Sequence, residues 1–156
     1  MHCCLWFLLL PQAFLGAAWL AEAGGPQLDV GALAAVFLAL FARPRALPLL
    51  LLGAATGRAL VDEAAVPVQM LVLGVPVAVL LPLRAWFHRQ LWWQVAASLL
   101  LAIAVPRLAG LCGRWFEQPS AASVEWPRVL ATALLGPPLL WLLRRLPPLA
   151  SLQERG

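Results

Sequence analysis

Lysine is absent from this 156-residue chain and charge of any kind is scarce, with 12% charged residues against 63% hydrophobic. A soluble domain carries about 25% charged and 45–50% apolar residues. A water-soluble fold of this length would have to expose leucine over much of its surface, whereas a bilayer makes an apolar exterior the favourable one. Cysteine is sparse too. Cys3, Cys4 and Cys112 form no CxxC and have no His or Cys at metal-ligand spacing, which leaves them as small packing residues. Histidine is limited to His2 at the start and His88 in a basic stretch. GxSxG, HExxH, GxxxxGK[ST] and the EExxxR pair of intramembrane CAAX-type proteases are all missing, and no nucleophile sits beside an activating base. No enzymatic role, cofactor or metal is expected.

What the chain does have is long apolar runs. Six of them, at about 4–21, 28–42, 46–61, 66–83, 91–111 and 129–143, predict an all-α, polytopic integral membrane protein. Residues 1–156 form one domain, a bundle of about six transmembrane helices. Pro76, Pro82, Pro106, Pro137 and Pro138 remove N–H donors and should kink the last three helices. The second and third runs are short for the ~20 residues a crossing needs. Because "ARPRALP" leaves almost no loop between them, they could instead form a re-entrant or tightly packed hairpin. Most of the eight tryptophans fall near segment ends, where an indole anchors in the interface.

The net charge of +4 comes from eleven arginines, placed at segment ends rather than on one soluble face as nucleic-acid binding would require. Arg43 and Arg45 follow the second run, Arg84, His88 and Arg89 the fourth, and Arg144, Arg145 and Arg155 the sixth. The odd-numbered connections carry Glu22 and Asp29, then Asp62 and Glu63, then Glu117 and Glu125, with Arg114 and Arg128 as exceptions. Arginine-rich short loops stay cytoplasmic, so both termini are expected inside. "LAEAGG" resembles a signal-peptidase site after Ala23, but "MHCC" supplies no basic n-region, and the first run is read as a retained helix.

One stretch, "GAATGRALVDEAAVP" at 53–67, places charge where hydrocarbon is expected. Arg58 and Asp62 are four apart and share a helix face, so they are expected to form an intramembrane ion pair. Gly53 and Gly57 are also four apart, a small-residue strip that admits another helix or a partner closely. Arg107, near the outer end of the fifth run, is at a depth to meet Glu63 across the bundle.

The order "PQLDVGALAAVFLALFARPRALPLLLLGAATGRALVDEAA", followed by a Gly-containing apolar span, "LPLRAWFHRQLWW" and a long apolar helix, resembles the rod shape-determining MreD family over about residues 26–100. In that family a Gly-rich third span ends in an acidic residue, which maps here onto Gly53, Gly57 and Asp62. Pro26 and the five-residue step from Gly57 to Asp62 depart slightly from its pattern. The resemblance implies a multi-pass protein of the bacterial inner membrane that is a non-enzymatic scaffold of the cell-elongation machinery. Its partners would be membrane lipids, an MreC-like bitopic protein and the sidewall peptidoglycan synthases, with no nucleic acid. The alternative is the substrate-binding membrane subunit of an energy-coupling-factor vitamin transporter, also a small six-helix protein, although the spans offer few polar groups to orient a vitamin.

Overall fold

A computed structural model describes residues 2–62, 64–87, 90–118 and 123–145. Among these residues every regular element is helical: α1 (His2–Glu22), α2 (Val30–Phe41), α3 (Leu47–Asp62), α4 (Val66–Leu80), the one-turn α5 (Arg84–Phe87), α6 (Leu91–Phe116) and α7 (Trp126–Arg145). A 3₁₀ turn at Leu81–Leu83 extends α4. Three segments, Val66–Leu83, Leu91–Phe116 and Trp126–Leu143, are long and apolar enough to cross a membrane. The apolar parts of α1 and α2, Phe7–Glu22 and Val30–Phe41, are shorter. The expected fifth run ends five residues early against α6. Arg114, Trp115 and Phe116 continue the helix until Glu117 adopts a left-handed conformation (φ 52°) and the Gln118 N–H closes back on the Gly113 carbonyl.

The second run forms α2, the central helix of the bundle, with residues 31–41 buried on every side, as expected of a helix that is apolar all round. Packing between neighbours orders the others around it as α1, α3, α4, α6 and α7. Among the described residues α7 and α1 do not pack extensively on one another, so the ring is open between them.

The packing of α6 differs from that of a helix in a soluble protein. On α6 the inner face is Ala97, Ser98, Ala102, Ala109, Gly110 and Gly113 with two larger residues, while Leu99, Leu100 and Leu111 point outward. Gly136 of α7 faces Ser98 so closely that a Cβ there would lie 2.7 Å from the Ser98 Oγ. Small residues inside and leucine outside is the arrangement that lets helices approach in lipid, where apolar surface carries no penalty. Trp19, Trp92, Trp115, Trp126 and Trp141 are likewise exposed at or near helix ends. Pro11, Pro76, Pro106, Pro137 and Pro138 lie inside helices that continue on both sides of them.

Both ends of α2 are held by side chains from other parts of the chain. At the start, Asp29 Oδ1 accepts the Ala32 N–H at 3.0 Å, and the Asp29 N–H donates to Thr132 Oγ1 of α7 at 2.9 Å. At the other end Arg84 Nη1 donates to the Ala42 carbonyl at 3.0 Å. A carboxylate at the N-terminus and a guanidinium at the C-terminus both oppose the helix dipole favourably.

Candidate functional site

The inner face of α3 reads Leu50, Gly53, Ala54, Gly57 and Arg58, a helical repeat that turns the arginine into the bundle rather than toward lipid. The Arg58 side chain is 9% exposed, and its Nε donates to Asp62 Oδ2 at 2.6 Å. The same oxygen accepts Gln69 Nε2 of α4 at 3.3 Å. Gly31, in the first turn of α2, makes room for the guanidinium. A Cβ there would lie 2.9 Å from Arg58 Nη1 and 3.2 Å from Asp29 Oδ1, so the two charged groups flank one point of the α2 backbone.

Around this cluster the bundle is hollow. A cavity of about 240 Å³ is lined by Phe14, Ala17, Ala18 and Ala21 of α1, by residues 27–31, by Arg58 and Asp62, and by Glu125 and Arg128 at the head of α7. A second, of about 60 Å³, shares Asp29, Arg58, Asp62, Glu125 and Arg128 and reaches Ala102 and Pro106 of α6. Pro106 has no N–H, so the Ala102 carbonyl loses its helical donor beside this cavity. A third, of about 10 Å³, close to the space of a single water, lies at Asp62, Gln69 and Gln118. Asp62 borders all three.

Within this chamber the charges do not cancel pairwise. Three carboxylates, Asp29, Asp62 and Glu125, face two guanidiniums, Arg58 and Arg128, and among these described groups Arg58 and Asp62 are the one ion pair. Arg58 Nη1 and Gln69 Oε1 are buried with no hydrogen-bond partner. Such groups are costly unless water or a bound molecule meets them. The arrangement can recognise a small polar or charged molecule. No group of three metal-ligating side chains occurs among the described residues.

Of the residues singled out in the sequence, Arg58 and Asp62 are brought together at one end of the bundle. Gly57 meets α1 of its own chain: a Cβ would lie 2.9 Å from Phe14 Cδ2 and 3.2 Å from Pro11 Cα. Gly53 is buried one turn earlier on the same face. Gly57 therefore packs on α1, and both glycines lie on the buried face of α3. Arg107 is exposed on α6, and Glu63, its expected counterpart, lies outside the described residues.

Sequence reasoning missed the others. Asp29 was read as a loop acid, yet it is 5% exposed and caps α2, and an aspartate just before an apolar run is the ordinary signal for that role. Glu125 and Arg128 gave no sign of joining Arg58, because their proximity comes from α7 closing against α2. Thr132 is one hydroxyl in an apolar run, its Oγ1 donating to the Arg128 carbonyl at 2.7 Å while accepting from Asp29. Comparison with protein-family models, with curated proteins and with solved structures finds no match.

Proposed function

We propose that this chain is a multi-pass protein of the bacterial inner membrane that serves as a non-enzymatic scaffold of the cell-elongation machinery. In this reading the chain crosses the bilayer six times, the short α2 inside the ring of the other five helices, with both termini cytoplasmic. An MreC-like bitopic protein binds it and links it to the sidewall peptidoglycan synthases. The observation that carries the proposal is the distribution of mass: a helical bundle with leucine outward, short connections and no soluble lobe among the described residues. Such a protein meets its partners through helix faces and loop ends. The order of residues 26–100, which resembles MreD, supplies the particular machinery.

With Gly57 packed on α1 and Gly53 buried, partner contact falls to the outer faces, such as Leu71, Val75 and Val79 of α4. The test is co-purification of the full chain from its own cells in mild detergent, with depletion followed by microscopy. The proposal expects a single-span coiled-coil protein in the eluate and rounding of rod-shaped cells. Unaltered cell shape with no such protein retained would reject it.

The polar chamber favours a second reading, the substrate-binding subunit of an energy-coupling-factor transporter. Buried polar groups opening to one end of a small bundle suit ligand capture. Retention of paired ATPases in the same eluate would favour this reading over the first.

A further inference from the structure

The chamber lies where, among the described residues, the ring of helices is open, between α7 and α1. Its mouth carries Glu125 and Arg128, both exposed, and deeper in it Arg58 presents a 9%-exposed side chain whose Nη1 has no acceptor. That unmet donor calls for an oxyanion, and Arg128 supplies a second guanidinium from α7. A bare anion would be disfavoured, because Asp29, Asp62 and Glu125 line the same space and outnumber the arginines. A molecule with a cationic end answers both demands. The charge of Asp62 is already paired with Arg58, while Glu125 and Asp29, whose second oxygen is not used in capping α2, carry no ion pair among the described residues and can receive the cation. The α1 wall is apolar and small, with Phe14, Ala17, Ala18 and Ala21 on one helical face.

We propose that this gap binds a molecule carrying a primary ammonium and a phosphate oxyanion together. The oxyanion sits at Arg58 and Arg128, the ammonium at Glu125 and Asp29. Two sources share this chemistry, the headgroup of an aminophospholipid whose acyl chain lies along α1, and free phosphoethanolamine. The cavity, at about 240 Å³, is close to the lower bound of about 300 Å³ for ligand sites. The site is independent of the scaffold role.

The test uses the full chain in detergent, exchanged against phosphatidylethanolamine or phosphatidylglycerol of matched acyl chains, with bound lipid counted by native mass spectrometry. Wild type should retain phosphatidylethanolamine about tenfold better than phosphatidylglycerol, and Arg128→Gln should lose most of that retention. Glu125→Arg turns an excess of carboxylates into an excess of guanidiniums and should invert the preference toward phosphatidylglycerol. Both substitutions are at exposed positions, so an unchanged elution profile and melting curve check that the fold persists. A second arm adds millimolar phosphoethanolamine. Retained lipid that is not displaced identifies the lipid as the source, and displacement identifies the free compound. Equal retention of the two lipids, or retention indifferent to both substitutions, overturns the proposal.

Discussion

Arg58 carries five N–H donors into a place where Asp62 engages Nε and Nη1 finds no acceptor. The i,i+4 spacing that joins Arg58 to Asp62 is legible in the sequence because a helix fixes it by geometry alone. The inward direction of that pair follows the buried face of α3, which Gly53 and Gly57 also mark, Gly57 lying against α1. Two consequences are measurable by thermal unfolding in detergent. Asp62→Asn leaves a buried cation without its counter-ion. The 3–5 kcal/mol typical of breaking a buried pair is reduced because Asp62 is 24% exposed, giving about 2–3 kcal/mol of lost stability. Arg58→Met combined with Asp62→Asn removes the charge together with its partner, and should recover most of that loss. A double variant no more stable than Asp62→Asn would mean that Arg58 matters for its packing on Gly31 rather than its charge.

At the scale of elements, α2 is the least self-sufficient helix and the most constrained. Twelve residues span about 18 Å, short of a ~30 Å hydrocarbon core, and its polar ends therefore terminate inside protein. Its length and uniform hydrophobicity can be read in advance, but its central place cannot, since no residue on it distinguishes a helix surrounded by protein from one surrounded by lipid. The partners at its ends come from 103 residues away at Thr132 and 42 residues away at Arg84, separations that carry no local sequence signal. Thr132→Val strips the acceptor from the buried Asp29 N–H and should destabilise by about 1–3 kcal/mol. Thr56→Val, which removes a bond only to the Leu52 carbonyl of its own helix, should change stability by less than about 0.5 kcal/mol. Glycine gives a parallel contrast. Gly57→Ala drives a methyl against the Pro11 backbone and the Phe14 ring, an overpacking of about 1–3 kcal/mol, whereas Gly74→Ala meets only the end of Leu51 at 3.3 Å and should be near neutral. Equal losses in the two glycine variants would mean that α1 is not clamped on α3 as described.

Across the whole molecule, contacts between connections sort the loops into two groups. Residues 29 and 132 are hydrogen-bonded, as are Ala65 and Gln118, so the first, third and fifth connections gather at the chamber end. Ala42 and Arg84 join the second and fourth at the opposite end of α2. The sequence distinguished these groups by charge alone, arginine against carboxylate, and the bundle separates them by the length of its central helix. Fold class was legible because composition dictates the solvent, whereas the chamber was not, because its five charged residues come from three separate stretches of chain. If the exterior is lipid, the two groups must lie on opposite faces of the membrane with the arginine-rich one inside. With Cys3, Cys4 and Cys112 replaced by alanine, single cysteines at Arg45 and Glu125, both exposed, should differ in reaction with a membrane-impermeant maleimide in intact cells. Glu125→Cys should label directly and Arg45→Cys only after permeabilisation. Labelling of both from the same side would break the link between the two-ended bundle and a bilayer, because the hydrogen bonds at Asp29 and Ala42 place those ends a full helix apart.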